Sequence, residues 1–400
     1  MLPGSPVNAS KAKSDVLPER RVRAGKISVC HVASGDRWAG AEVQLATLFR
    51  AFAHSDRFRL TVISLNEGRL AEEARRCGIE VKIIPESKKS FLQIFSEAVE
   101  YVQDKGICIL HSHRYKENLL AALLAWRCRV PFVVRTQHGM PEPFAGLKRC
   151  KQGVIQLMDQ IVARYATDRV ISVSAELTSH LRGYLKPEKV VTIHNGIDVD
   201  QVRSKMGHLE AKRCLGIPDH CWAIGTAGRL EPVKRLDIFL ASAEHVATRL
   251  PNTRFIIAGS GSEESRLRTL AHASGLGDRV LFLGDRQDIY DVLRALDIFL
   301  LCSDHEGLPM ILLEALALGA AVVARSVGGI HEVIQDGVNG ILVQSDEPST
   351  LAQACLNILA DQARRQRLAV AGANLVASKF TVERTAKELA KLYCSLWEIR

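Results

Sequence analysis

The chain has no uninterrupted apolar run of the ~18 residues needed to cross a bilayer. Its opening stretch, MLPGSPVNASKAKSDVLPERRVRAGK, contains none of the apolar core that a secretory signal requires. Residues 1–24 are therefore expected to form a disordered basic leader. No C-x-x-C pair occurs: the ten cysteines are scattered, and the two nearest are Cys214 and Cys221. That pattern argues against a disulfide framework and predicts reduced thiols in the cytoplasm. Any acidic excess is also missing from the first half. The whole formal net charge of +9 lies in residues 1–200, and residues 201–400 balance to zero. A one-sided basic field of this kind predicts an anionic surface or partner for the first half. Solubility together with the basic leader, which carries part of the excess, accounts for it equally well.

What is present is a repeating alternation. With 400 residues and 47% hydrophobic content, the chain can build two cores. Short β-branched runs at 26–34, 58–65, 80–86, 107–113, 131–139, 169–174 and 189–196 alternate with helix-length segments. Residues 199–220 have the character of a polar connector. The alternation restarts at 222–228, 253–261, 279–284, 297–303, 320–326 and 340–344. Nearly continuous apolar strands separated by helices predict parallel sheets covered on both faces. The expected fold is thus α/β, with two Rossmann-like doubly wound domains facing a cleft. These are an acceptor-side domain at 25–200 and a ligand-binding domain at 201–380. A helix at 381–400 is expected to pack back towards the first domain. In such sheets ligands bind beyond the carboxyl ends of the strands. His113, His138, Arg229, Gly259, Gly261 and Glu306 all fall at such ends.

The segment EGLPMILLEALALG (306–319) keeps two glutamates, Glu306 and Glu314, in an otherwise hydrocarbon stretch. Pro309 suits the first position of a helix and Gly319 its end, which predicts a helix over 309–318. Glu314 then lies inside a helix that is apolar almost all round, and a lone buried carboxylate is costly unless it is bonded. A pair of ribose hydroxyls is a natural partner. Glu306, Gly307 and Leu308 precede the helix N-terminus, where free N–H groups and the dipole favour an anion. Spacing alone leaves open a solvated Glu306 and a Glu314 bonded to backbone. GRLEPVKR (228–235) adds Arg229 and Lys234 around a strand-to-helix turn. Cations at a helix start are unfavourable unless an anion sits beside them.

SDHEGLPMILLEALALGAAVVARSVGG, with its E-x7-E spacing, resembles the signature of the retaining glycosyltransferases of family 4, of GT-B fold. GRLEPVKR, IAGSGSEESRLRTLA, VLFLG, HNGID and WAGAEVQL resemble further landmarks of that family in the same order, so the resemblance covers about residues 26–395. It implies a UDP- or GDP-linked sugar donor as substrate, with no separate cofactor and no metal. It further implies Arg229 and Lys234 on the diphosphate and Glu314 on the ribose. Glu306 would contact the sugar hydroxyls, with the Gly307 and Leu308 amides nearby. His138 would face the sugar from the first domain, and Gly40 would lie in a loop approaching phosphate and acceptor. Catalysis would be mostly positioning and leaving-group stabilisation. Ala39, Arg325 and His331 depart from the usual pattern, which leaves the donor open.

The implied partners are a nucleotide sugar and a polysaccharide, lipopolysaccharide or glycolipid acceptor, with no nucleic acid. HSH (111–113) offers two histidines on one strand face, but nothing in the sequence completes a metal site there. His113 is also an acceptor-side candidate. Segment 146–166 sets Lys148, Arg149, Lys151 and Arg164 beside apolar positions, so it is either a helix resting on anionic lipid at the inner face of the plasma membrane or an ordinary exposed helix. Two rival activities share the architecture: a sugar-nucleotide 2-epimerase, and a nucleotide-sugar-binding protein without turnover.

Overall fold

The computed structural model describes residues 25–140 and 148–398. The leader and residues 141–147 lie outside the described residues, as do the side chains of Lys148, Arg149 and Lys151.

The first domain alternates strand and helix throughout. It begins with β1 (Ile27–Ala33), α1 (Gly40–Phe52), β2 (Phe58–Ser64), α2 (Arg69–Arg76) and β3 (Glu80–Ile83). It continues through α3 (Phe91–Lys105), β4 (Ile109–Ser112), α4 (Tyr115–Cys128) and β5 (Phe132–Gln137). It closes with α5 (Lys148–Tyr165), β6 (Arg169–Ser172), α6 (Ala175–Arg182) and β7 (Val190–Thr192). The seven strands form a parallel sheet in the order β3-β2-β1-β4-β5-β6-β7.

The second domain starts at α7 (His208–Cys214), followed by β8 (Trp222–Ala227), α8 (Leu236–Arg249), β9 (Thr253–Ala258), α9 (Glu264–Ala273) and β10 (Val280–Gly284). Next come α10 (Ile289–Arg294), β11 (Ile298–Leu301), α11 (Met310–Ala317), β12 (Ala321–Arg325), α12 (Ile330–Val333) and β13 (Ile341–Val343). Three helices end the chain: α13 (Pro348–Ala360), α14 (Gln362–Lys379) and α15 (Val382–Glu398). The sheet order is β10-β9-β8-β11-β12-β13, again parallel. In both sheets the order reverses beside the first strand, which opens a crevice at the carboxyl edge.

Central strands are buried on both sides, as in Val29, Cys30 and Val32 of β1 and Ile298, Phe299 and Leu300 of β11. This is why they read as unbroken apolar runs. The α15 helix leaves the second domain and joins the first domain's core, where Leu389, Leu392 and Tyr393 pack with Val29 and Phe49. Its crossing lies beside the outward one: Ile197 N donates to Phe380 O at 2.9 Å, and Val382 N donates to Ile197 O at 2.9 Å.

Two local expectations need correction. The stretch at 199–220 contains α7. Its charged residues disguised it, because Lys212 is buried and its Nζ lies 2.6 Å from Asp297 Oδ2, which also accepts from Ala223 N at 2.8 Å. A buried ion pair reads as surface polarity when only one partner is in view. Pro309, expected at the first helical position, is the N-cap of α11, with extended backbone (φ −72°, ψ 123°).

Candidate active site

Glu306 lies in the loop between β11 and α11. Its Oε1 accepts from Lys234 Nζ at 2.6 Å and from Ser303 Oγ at 2.6 Å. Both bonds fall on one oxygen, and Oε2 takes none from the described residues. Lys234 ends a 3-10 turn (Pro232–Lys234) rather than standing free at a helix start. Arg235, which follows it, caps α8 in the left-handed region at φ 47°, an uncommon conformation for a side-chain-bearing residue. Its Nη1 bonds Asp304 Oδ1 at 3.1 Å, and Arg325 Nη1 bonds the same oxygen at 2.6 Å. Arg325 Nη1 also donates to the Cys302 and Ser303 carbonyls, each at 3.2 Å. Two guanidinium groups thus clamp the loop that presents Glu306. The sequence marked Arg325 only as a departure from a family pattern, and its bracing role was not legible there.

Glu314 is buried within α11. Burial pushes its carboxyl up to about 7, partly offset by a hydrogen bond from the Tyr290 side chain on α10. Tyr290 is the partner the sequence did not supply. At neutral pH the carboxyl is poised between its two forms, and deprotonation gives two oxygens able to accept hydroxyl protons.

The first domain meets this loop directly. A Cβ placed on Gly307 would lie 2.0 Å from the His138 carbonyl oxygen, so only glycine fits there. The close approach that Gly307 permits in this structure is to the other domain's backbone. Leu308 is buried, and its carbonyl accepts from Asn195 Nδ2 at 2.8 Å. Gly40 opens α1, where its nearest neighbour is Met310 Cγ, 3.8 Å from a Cβ built on it. Glu306, Gly307, Leu308, His138 and Gly40 therefore come together at the seam between the sheets. Arg229 is half-buried just after β8. Its loop packs on the one after β9, where a Cβ on Gly259 (φ +122°) would sit 2.0 Å from Gly228 O.

His138 follows β5, and its Nε2 lies 3.3 Å from His113 Nδ1. His113 Nε2 lies 3.1 Å from His31 Nδ1 on β1. His111 meets Tyr393 Oη through Nδ1 at 2.6 Å and Thr136 Oγ1 through Nε2 at 2.8 Å. Burial holds His31 down at about 3 and His138 at about 4, the latter helped by the Arg114 charge. His111 and His113 are held well below the ordinary histidine value, again by burial first. His31 joins the two histidines noticed in the sequence, and one ring nitrogen from each of His31, His111 and His113 lies within 4.8 Å of the others. The only sequence signal for His31 was a polar residue inside the apolar run KISVCHVAS.

Away from the seam, α5 carries an exposed apolar stripe: Val154, Leu157, Met158, Ile161 and Tyr165, which are 47–75% accessible. An apolar groove of about 250 Å³ opens beside it, lined among others by Phe91, Ile94, Tyr115, Leu119, Ile155 and Met158. No helix among the described residues is long and apolar enough to cross a membrane.

Comparison with known proteins places this geometry. Residues 210–375 match the family model "Glycosyl transferases group 1", and residues 38–201 match "Glycosyltransferase Family 4". A D-inositol 3-phosphate glycosyltransferase of Stackebrandtia nassauensis is 30% identical over 308 residues, which are 71% of this chain and 67% of that protein. The lipopolysaccharide core biosynthesis mannosyltransferase LpsB of Rhizobium meliloti is 32% identical over 239 residues, 57% of this chain and 66% of that one. The crystal structure of Anabaena HepE in complex with UDP-glucose superposes with a TM-score of 0.81 at 21% identity, covering 92% of this chain and 100% of that one. At that identity the likeness speaks to the fold, and it agrees with the two facing parallel sheets.

Proposed function

The chain belongs to the glycosyltransferases of GT-B fold, and from that premise we propose that it is a retaining enzyme of family 4 that moves a sugar from a UDP- or GDP-linked donor to a lipid-linked glycan of the lipopolysaccharide or glycolipid type. The observation that carries this reading is the seam itself. Glu306, held on one oxygen by Lys234 and Ser303, stands before the helix that buries Glu314, while the His138 backbone closes over Gly307.

In this reading the diphosphate lies against Arg229, Lys234 and the amides that open α11. The helix dipole and the two cations stabilise charge as it develops on the leaving phosphate. Lys234 is held by Glu306 before the ligand arrives, so it is positioned rather than recruited, and the pair stays neutral until phosphate enters. Glu314 accepts from the ribose hydroxyls. Glu306 Oε2, the oxygen without a donor among the described residues, takes the sugar hydroxyls. With both carboxylates engaged in holding ligand, the reaction relies on orientation rather than on a protein nucleophile. The Anabaena structure, solved with UDP-glucose, and the LpsB relative, a lipopolysaccharide core enzyme, support the donor and acceptor classes.

The acceptor side is assigned to the first domain. Its apolar groove, lined in part by Tyr115, the first residue of α4, suits a hydrocarbon chain. The exposed α5 stripe and the basic excess of residues 1–200 suit the surface of an anionic bilayer at the cytoplasmic face. The deciding experiment incubates the protein with a panel of UDP- and GDP-sugars and membrane lipid extract, then analyses products. A glycoside with the donor's anomeric configuration supports the reading. An epimerised sugar nucleotide, an inverted linkage or no product overturns it.

A further inference from the structure

Four imidazoles cross the first sheet on one face. His31 on β1 is in register with His111 on β4, and His113 lies two residues further on. Thr136, which bonds His111, and His138 continue the row on and just beyond β5. The rings lie near one another: His31 and His113 have centroids 5.4 Å apart at 19°, and His113 and His138 have centroids 5.5 Å apart at 28°. Three of them form a hydrogen-bonded chain that runs from the core to the seam, His31 Nδ1 to His113 Nε2 and His113 Nδ1 to His138 Nε2.

Proton counting restricts this chain. Buried neutral imidazoles carry one N–H each. His113 has one hydrogen for two bonds, so it donates in one and accepts in the other. Only two arrangements satisfy both bonds. In one, every hydrogen points towards the core: His138 donates from Nε2, His113 donates from Nε2, and His31 carries its proton on its own Nε2. That atom has no hydrogen-bond partner among the described residues, and a buried N–H without a partner is the costlier kind of orphan. In the other, every hydrogen points towards the seam: His31 Nδ1–H donates to His113, and His113 Nδ1–H donates to His138 Nε2. His138 must then hold its own proton on Nδ1 at the half-buried seam, where solvent or a ligand can accept it, and inside the core only a lone pair of the 2%-accessible His31 is left unpaired.

Resting on the reading of the seam as a sugar-nucleotide site, we propose that His31 and His113 are positioning residues that fix His138 as its Nδ1–H tautomer, so that His138 offers the bound sugar nucleotide a hydrogen-bond donor. The Nδ1 atom has no partner among the described residues, whereas Nε2 is spoken for. An Nδ1–H suits a sugar or phosphate oxygen, which accepts. A histidine free to exchange tautomers would offer that donor only part of the time. His111 stands beside the chain, with its two nitrogens taken by Tyr393 and Thr136.

The test reads the tautomer without substrate, so it stands apart from the success or failure of the transferase reading. Nitrogen-15 correlation spectra of the ligand-free protein at pH 7.5, with His138 identified by the signals missing in His138→Gln, should show Nδ1 protonated and Nε2 bare. His113→Phe keeps a ring in the stack and removes both bonds, so the two His138 nitrogen signals should move towards each other as the tautomers mix. His113→Gln can accept from His31 and donate to His138, so it should restore the wild-type pattern. If the transferase reading holds, His113→Phe lowers kcat with the nucleotide sugar and leaves the affinity for the free nucleoside diphosphate unchanged. Wild-type His138 protonated on Nε2, or already mixed, overturns the proposal on that spectrum alone, even if the variants fail to fold. An unchanged His138 in a folded His113→Phe overturns it too. So does one equivalent of Zn²⁺ retained by the wild type and lost in His113→Phe, which would make the array a metal centre.

Discussion

Lys234 and Glu306 stand 72 residues apart in the chain, and their side chains meet at 2.6 Å, with Ser303 sharing the same carboxylate oxygen. The two side chains are only 18% and 9% accessible, so each charge depends on the other. Neither residue's neighbours in sequence announce the pairing. It follows from the way β8 and β11 lie side by side and send their following loops to the same edge.

Removing either partner should therefore cost both activity and stability. Lys234→Met leaves the Glu306 charge with one hydroxyl donor, and a loss of about 2–3 kcal/mol is expected, below the roughly 3–5 of a fully buried pair. Turnover should fall by about 10²–10³-fold, the effect of losing one strong transition-state donor. Chemical denaturation separates the two effects. The double variant Lys234→Met with Glu306→Leu should regain most of the stability and none of the activity. A double variant as unstable as the sum of the singles would show that the pair is not coupled.

Glu314 gives a pH signature. Its carboxyl is raised from 4.5 to about 7 in the folded state. The native protein therefore keeps a proton that the unfolded chain releases, and this contribution, about 3 kcal/mol, is complete below pH 4.5 and is lost as pH rises towards 7. The buried histidines work the other way below pH 6.5, and Glu117, raised to about 7 by burial, adds to the Glu314 trend. The difference between wild type and Glu314→Gln isolates the single group. Ligand binding should show the opposite slope. Ribose hydroxyls donate to the carboxylate, so affinity for a nucleotide sugar, whose diphosphate has no proton near neutrality, should rise by up to about tenfold per unit below pH 7. Calorimetry should find that slope absent in Glu314→Gln. A parallel slope in both proteins would remove Glu314 from the ribose.

What could be read in the sequence follows from what is local. Apolar runs such as DIFLLCS announced strands because parallel strands are buried on both faces. Glu314 announced itself because it interrupts such a run. The α7 helix escaped notice because Lys212 has its partner, Asp297, on the far side of β8 in sequence. Tyr290 and Arg325 act through contacts that only the fold brings about, and His31 became meaningful only once β4 was placed beside β1. The histidines of HSH could be seen, whereas the chain of bonds linking them to His138 could not.

Arg135 is the largest of the fully buried side chains, at 1% accessibility, and its Nη2 bonds Asp159 Oδ2 at 2.8 Å and Gln137 Oε1 at 2.6 Å. Asp159 also accepts from Asn118 Nδ2 at 2.7 Å, so one carboxylate ties β5, α4 and α5 together. Asp159→Ala would leave a guanidinium buried and short of acceptors. The expected loss is about 3–5 kcal/mol, read as a lower midpoint in denaturant. Arg135→Met with Asp159→Leu should lose much less. If Asp159→Ala unfolds at the wild-type midpoint, water has replaced the carboxylate and the tie is not structural.

That tie also holds α5 with its apolar stripe turned outward. A stripe of Val154, Leu157, Met158, Ile161 and Tyr165 at helical spacing is what a core-facing helix shows, yet here it faces solvent, 47–75% accessible. Arg164 is exposed beside Tyr165, and residues 148–151 contribute Lys148, Arg149 and Lys151 to the start of the same helix. Attraction to anionic lipid is worth about 1 kcal/mol per basic residue and fades with salt. The apolar stripe adds a term that salt does not screen. The two contributions predict a graded result in vesicle co-sedimentation. Wild type should bind phosphatidylglycerol-containing vesicles at low salt, bind them more weakly at high salt, and bind neutral vesicles only as weakly as it binds anionic ones at high salt. Lys148, Arg149 and Lys151 changed together to Gln should weaken binding mainly at low salt. Leu157→Glu with Ile161→Glu should abolish it at every salt concentration, because carboxylates on the stripe both remove apolar contact and repel the lipid charge. A wild-type protein that stays in the supernatant with anionic vesicles at low salt would turn the acceptor assignment towards a soluble glycan.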